Sequence, residues 1–260
     1  MNWGTRVAED IDYEARREIF RQALADHGIT RCVLVTGSFR AGTSFVCSLL
    51  ARNGMPSIGN EKFSGFYSYR EPGNETQLRA ALDGVFATAQ DGLFCAKIMW
   101  PHRNNLALTL GYQREDSAEF AQIFPQAKWI NILRRDKIDQ AISFWKAKQT
   151  DRWHVFKDEA EPEVEYDFAG LRGALSELSI HDRLWRVFYR HAGVTPSDVV
   201  YEEFQRRPAV HLKTLLEEIG PDHRLQTGEV VAVSGLRRQR NANSDRLRQQ
   251  FLDDCFRSGS

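Results

Sequence analysis

The sequence predicts an α/β fold of three layers, a central, mainly parallel sheet flanked by helices. Three observations carry this reading. Short apolar runs at 32–36, 92–100, 128–133 and 198–201 alternate with stretches whose apolar residues recur at helical spacing, the pattern of βα units. The first run turns through a glycine-punctuated loop directly into a helical stretch. Charged clusters follow the first, third and fourth runs, where ligands bind in parallel sheets, outside the carboxyl ends of the strands.

In chain order, residues 10–27 carry Ile11, Ile19, Phe20 and Leu24 among Glu and Arg, an amphipathic helix stopped by Gly28. This N-terminal helix (1–28) leads into the first strand. Gly37-Ser-Phe-Arg-Ala-Gly42 follows, and 43–53 reads as a helix ended by Gly54 and Pro56. Residues 57–74 hold Gly, Ser and four aromatics (Phe63, Phe66, Tyr67, Tyr69) without a clean period, as in a structured loop or short helix near a site. A helix at 75–89 precedes the second strand, which Pro101 stops. A short helix at 118–124 precedes the third strand and the cluster Arg134-Arg-Asp-Lys137.

The helix at 136–148 lines up Ile138, Ala141, Ile142 and Trp145. Residues 151–167, acidic and broken by Pro162, read as a mobile surface segment. A long helix at 171–191 is followed by the fourth strand with Glu202 and Glu203, a helix at 211–219 capped by Gly220-Pro221, a basic run (Arg237, Arg238, Arg240) and a last helix at 244–256.

Length allows one large domain or two small ones, and a single domain, 1–260, is expected. Lys plus Arg number 35 and so do Asp plus Glu, so the total charge offers no polyanion partner and no nucleic-acid function is expected. Cys32, Cys47, Cys95 and Cys255 lie far apart without metal-ligand spacing; free thiols in a reducing compartment are expected. No apolar run spans a bilayer and the N-terminus has no apolar leader core. The expected location is cytoplasmic, with a substrate at the inner membrane surface left open.

Gly37 and Gly42 have the separation of the two glycines in a P-loop, whose backbone N–H groups cradle an anion at a helix N-terminus. Thr43 stands where such a loop carries lysine, Ser44 keeps the hydroxyl, and the basic group sits within the loop as Arg40. The fold is therefore P-loop-like, with an anion site that does not match a Mg-nucleoside triphosphate. Arg40 could also be a solvated turn residue, and Thr43 and Ser44 ordinary helix caps. Arg134 at a strand end and Ser143 on the next helix could converge on a second phosphate, remote from the first, or could only pair locally. The basic run at 237–240 is either a solvated face or closes over a ligand. Glu61, His102 and His154 are candidate bases, each with a surface role as the alternative. Lys97, inside an apolar strand, points to solvent or reaches a buried anion.

Thr36-Gly-Ser-Phe-Arg-Ala-Gly-Thr-Ser44, Ala96-Lys-Ile-Met-Trp100, Arg134-Arg-Asp-Lys-Ile-Asp-Gln-Ala-Ile-Ser-Phe-Trp145 and Tyr201-Glu202 resemble, in order and spacing, the bacterial PAPS-dependent sulfotransferase family typified by trehalose 2-sulfotransferase. The resemblance runs from about 31 to 251. It implies transfer of a sulfuryl group from 3′-phosphoadenosine 5′-phosphosulfate (PAPS) to a carbohydrate or glycolipid hydroxyl, in line and without a metal. It assigns Gly37, Ser38, Arg40, Ala41, Gly42, Thr43 and Ser44 to the 5′-phosphosulfate and Arg134, Ser143 and Arg238 to the 3′-phosphate, with Arg40 and Glu61 catalytic. The family's glutamate follows a glycine directly; here Ser57-Ile-Gly-Asn-Glu61 reaches it through a short insertion. Asp182, ahead of Trp185, also matches and receives no role. Phe63 to Tyr69, Trp100 and Trp153 could stack on a sugar or pack a core. Family members include dimers, so a homodimer is implied as possible. The alternatives are a metal-dependent small-molecule kinase and a non-catalytic PAP- or nucleotide-binding protein.

Overall fold

The structure, a computed structural model, describes residues 11–153, 163–220 and 242–258. Four strands form one parallel sheet in the order β2-β1-β3-β4: β1 Arg31–Gly37, β2 Leu93–Met99, β3 Lys128–Leu133 and β4 Ser197–Val200. Around it lie α1 Tyr13–Asp26, α2 Thr43–Arg52, α3 Glu75–Phe86, α4 Trp100–Thr109, α5 Ser117–Gln122, α6 Lys137–Thr150, α7 Phe168–Ala192, α8 Tyr201–Arg206, α9 Pro208–Ile219 and α10 Ala242–Ser258.

The strands were legible because both faces of the sheet are covered, which makes a strand apolar along its whole length. On one face Leu34, Phe94, Ala96, Ile98 and Trp129 pack against Phe20 of α1, Phe86 of α3, Phe120 of α5 and Trp185 and Phe188 of α7. On the other, Val33, Val35, Cys95, Ile130 and Ile132 meet Val46, Leu49 and Leu50 of α2, Phe204 of α8 and Leu212 and Leu216 of α9. This is the three-layer α/β arrangement with a central parallel sheet, consistent with a P-loop-like fold. The N-terminal half of α7 continues past the sheet to pack on α6 and α10, through Leu171, Ile142, Leu247 and Phe251. Among the described residues no helix is long and apolar enough to cross a membrane.

Two differences from the sequence reading bear on the strand ends. Pro101 does not merely stop β2; it occupies the first turn of α4, where its missing N–H costs nothing. Tyr201, read as the end of the fourth strand, begins α8. In the 57–74 segment a single 3₁₀ turn spans Phe66–Tyr69. Phe63 and Phe66 are buried in the core, so these two do not offer a surface for a sugar, and Trp100, partly buried, packs edge-on to Trp185 at 5.2 Å. Of the segment expected to be mobile, 154–162 lies outside the described residues. Its flanks are packed: Val164 is buried with Leu171 and Leu247, and Tyr166 Oη bonds Asp254 at 2.7 Å. Residues 1–10 and the Gly220-Pro221 cap at Pro221 are also outside.

Arg16 of α1 ties the 57–74 segment to the body. Fully buried, it donates to the carbonyls of Tyr69 (2.9 Å), Glu71 (2.6 Å) and Thr109 (3.2 Å) and to Glu75 Oε1 (3.0 Å). Removing it strands buried acceptors, so Arg16→Met should lower the urea-unfolding free energy by about 3–5 kcal/mol. A loss below about 1 kcal/mol would show that water replaces the guanidinium there.

Candidate functional site

The carboxyl ends of β1, β2 and β3 meet at the loop between β1 and α2. The loop curls tightly: Ala41 N–H donates to the Ser38 carbonyl at 3.2 Å, and Arg40 and Gly42 have φ of 61° and 102°. Gly42 must be glycine on a second ground, because a Cβ there would lie 2.2 Å from Cδ2 of the Tyr201 ring. A Cβ on Gly37 would come within 2.9 Å of the Ile132 carbonyl of β3. No side chain caps α2, so the N–H groups of its first turn face the loop without a capping hydroxyl or carboxylate.

The loop is held from beneath by residues to which the sequence reading gave no role. Gln140 of α6, fully buried, donates from Nε2 to Ser38 Oγ and to the Phe39 carbonyl, each at 2.8 Å. Lys137 donates to Gln140 Oε1 at 2.9 Å and pairs with Asp182 of α7. A lysine can only donate and a carbonyl can only accept, so the amide is oriented from both ends. Trp185 Nε1 donates to the Gly37 carbonyl at 3.1 Å, and the Tyr189 hydroxyl bonds Thr36 Oγ1. Asp182, Trp185 and Tyr189 thus form one stripe of α7 that fixes three successive positions at the exit of β1. Their spacing of three and four residues was the signal available in the sequence.

Ser38 and Ala41 are fully buried and Thr43 nearly so; Phe39, Arg40, Gly42 and Ser44 form the more accessible rim. Arg134 and Ser143, read from the sequence as a second anion site remote from the loop, both touch Arg40. Arg40 Nε donates to Ser143 Oγ at 2.9 Å and its Nη1 to the Trp153 carbonyl, while Arg134 Nη1 donates to the Arg40 carbonyl at 3.0 Å. The Arg134 guanidinium lies over the Tyr201 ring, 5.3 Å from its centre. Its Nε is buried and has no hydrogen-bond partner among the described residues. Behind it, Glu202 accepts from the Arg135 and Asp136 N–H groups at 3.1 Å, and Arg248 of α10 bridges Asp136 (2.8 Å) and Asp139 (2.7 Å). Arg238, with Arg237 and Arg240, lies outside the described residues, as does His154.

On the opposite side of the loop, Lys97, Glu61 and His102 come together. Lys97 is 2% exposed, so it has taken the buried-anion alternative: its Nζ is 3.0 Å from Glu61 Oε1 and donates to Ser44 Oγ at 3.3 Å. Glu61 is carried there because the Lys97 N–H bonds the Asn60 carbonyl at 3.3 Å and Lys62 Nζ bonds the Cys95 carbonyl at 2.7 Å, stitching 60–62 to the edge of β2. Burial pulls the Lys62 ammonium down to about 8. His102 Nε2 stands 3.7 Å from Glu61 Oε2. Burial pushes the His102 imidazole below its ordinary value, Glu61 partly opposing and Lys97 adding to the effect. Its Nδ1 is buried with no hydrogen-bond partner among the described residues.

Between the two sides projects Phe39, stacked on Phe144 at 5.4 Å and flanked by Trp153 (5.7 Å), His102 (6.0 Å) and His181 (6.1 Å). Of the aromatics considered for a sugar, Trp153 is the one beside the loop. Among the described residues no group of three or more His, Cys, Asp or Glu side chains is arranged to hold a metal ion.

Residues 32–251 match the Stf0 sulphotransferase family. The chain is also 31% identical over 131 residues to the trehalose 2-sulfotransferase of Mycolicibacterium smegmatis, a stretch covering 50% of this chain and 47% of that protein. It is 26% identical over 132 residues to the trehalose 2-sulfotransferase of Mycobacterium tuberculosis, covering 50% and 48%. The chain spans about half the length of these two relatives.

Glu202 supplies a pH test of the strand-end architecture. Burial alone would raise its carboxyl, but the N–H groups of Asp136 and Arg135 outweigh burial and hold it below the ordinary glutamate value. A depressed carboxyl contributes stability that is present above the unfolded value, about 4.3, and is lost as pH falls through the folded one. Glu202→Gln should therefore unfold at lower urea than wild type at pH 7, with the gap closing towards pH 3. A gap of constant size across that range would contradict the assignment.

Proposed function

The chain belongs to the Stf0 sulphotransferase family, and on that premise we propose that it moves the sulfuryl group of PAPS to a hydroxyl of a carbohydrate or glycolipid acceptor, in line and without a metal. Both relatives are named for trehalose, which makes a disaccharide the first acceptor to try. Residues 1–260 would act as one sulfotransferase domain, working in the cytoplasm or at the inner face of the membrane.

The observation that carries this reading is the pair of unlike groups on either side of the loop. On one side are Arg40, Arg134 and Ser143, a cationic corner in which the Nε of Arg134 is buried with no hydrogen-bond partner among the described residues. On the other is Glu61, a carboxylate with 35% of its side chain exposed, held beside Ser44 by Lys97. The first suits a donor with two anionic groups and the second an acceptor hydroxyl that must lose a proton.

The residues then divide the work. The first-turn N–H groups of α2, with Gly37, Ser38, Ala41, Gly42, Thr43 and Ser44 shaping the loop, receive the 5′-phosphosulfate. Arg134 and Ser143 are the residues for the 3′-phosphate; Arg238 is assigned to it by family resemblance alone. Glu61 accepts the proton of the acceptor hydroxyl as its oxygen attacks sulfur. Arg40 supplies fixed positive charge where negative charge grows on the departing phosphate, the preorganised electrostatics on which such transfers depend, and Lys97 adds a second positive charge there. Phe39 and Trp153 offer the aromatic wall an acceptor ring would meet.

Arg40→Ala should abolish labelled-sulfate transfer from PAPS while leaving the thermal unfolding midpoint within a few degrees. Glu61→Gln should lower kcat by about 10²–10⁴ with little change in donor affinity. Wild type should be stabilised against heat by PAP and not by ATP with Mg²⁺. Stabilisation by ATP with Mg²⁺ alone would favour the kinase reading, and PAP binding with no turnover the non-catalytic one.

A further inference from the structure

Lys97 touches both halves of the site. It lies on the face of β2 that carries Leu93 and Cys95 into the apolar layer under α2, and at 2% exposure it has almost no water of its own. An ammonium so placed needs a counter-charge, and Glu61 at 3.0 Å provides it. Its other contact, Ser44 Oγ at 3.3 Å, belongs to the first turn of α2, the end of a helix at which anions gather. The position is thus within reach of two anionic sites, only one of which is filled when the loop is empty.

We propose that Lys97 couples them: it holds Glu61 while the loop is empty, turns to the anion seated at Ser44 when donor or PAP binds, and so releases the carboxylate to take up a proton. This rests on the donor site proposed above. Among the described residues, the other charged and titratable groups facing the pair are few. His102 of α4 stands 3.7 Å from Glu61 and burial pushes its imidazole below the ordinary value; Cys47 of α2, sensitive to both Lys97 and Glu61, has its thiol pushed up to about 12 by burial. Lys62, next in sequence to Glu61, is turned away to the Cys95 carbonyl and Thr88. Among the described residues, Lys97 is therefore the ammonium set directly against Glu61.

The coupling gives the reaction an order. Before the donor arrives, Glu61 is engaged in its ion pair with Lys97. Once it is seated, the proton from the acceptor O–H passes to Glu61, the new O–S bond forms, and the S–O bond to the leaving phosphate breaks with Lys97 beside it.

Calorimetric titration of PAP into the full chain at pH 5, repeated in buffers of different ionisation enthalpy, counts the protons taken up on binding. Wild type should take up on the order of 0.3 proton or more beyond Glu61→Gln, in which ionisation of PAP itself is retained. Lys97→Met, which fills the buried space without charge, should lose that excess. Equal uptake by wild type and Glu61→Gln would overturn the coupling while leaving the donor site intact. An excess that persists in Lys97→Met would trace it to the charge of PAP and overturn it also. Failure of wild type to bind PAP would overturn the donor assignment and the coupling together. The first comparison does not depend on the buried substitution, since Glu61 is half-exposed.

Discussion

The exit of β1 is pinned by one helix. Tyr189, Trp185 and Asp182 lie along a single stripe of α7 and reach Thr36, the Gly37 carbonyl and, through Lys137 and Gln140, Ser38 and Phe39. A glycine-bearing loop is otherwise the least constrained part of an α/β fold. Here each residue leading into it has a hydrogen-bond partner on a buried, rigid element. Arg40 and Gly42 can hold positive φ because the chain on both sides of them is fixed. The long helix consequently does two jobs, its C-terminal half roofing the sheet and its middle tuning the loop.

A second constraint is the placing of charge. Lys97 and Arg134 are cations set at the ends of apolar strands, and burial makes each costly unless a counter-charge or a dense hydrogen-bond shell is present. Lys97 has Glu61; Arg134 has the Arg40 carbonyl and the Tyr201 ring, and its Nε has no hydrogen-bond partner among the described residues. Tyr201 serves both the loop and this corner, since its ring lies close against Gly42 and beneath the Arg134 guanidinium. Such an arrangement is poor as a stabilising device and suits a site that acquires an anion.

What the sequence disclosed follows from the same physics. The strands and their order along the chain were readable because a doubly covered sheet leaves uninterrupted apolar runs, and the loop was readable because its two glycines are required locally. The helix α4 was not, since Pro101 follows an apolar run and His102-Arg-Asn-Asn105 reads as polar surface. In the fold Arg103 is buried over the rings of Trp100, Phe120 and Phe188, a setting supplied by other elements. The contact of Arg40 with Ser143 and the role of Asp182 were equally hidden, as each depends on packing between segments far apart in sequence. Glu61 and Lys97 could be suspected singly; only the hydrogen bonding of 60–62 to the edge of β2 brings them together.

The central claim is that the loop at 37–44 presents a sulfuryl donor to a hydroxyl beside Glu61. It is tested most directly by incubating the chain with PAPS labelled in the sulfuryl group and a panel of carbohydrate and glycolipid acceptors, then identifying the labelled product by mass spectrometry. The account predicts a singly sulfated acceptor formed in step with PAP, in the presence of a chelator. Release of PAP with no sulfated product from any acceptor, or phosphoryl transfer from ATP under the same conditions, would contradict it.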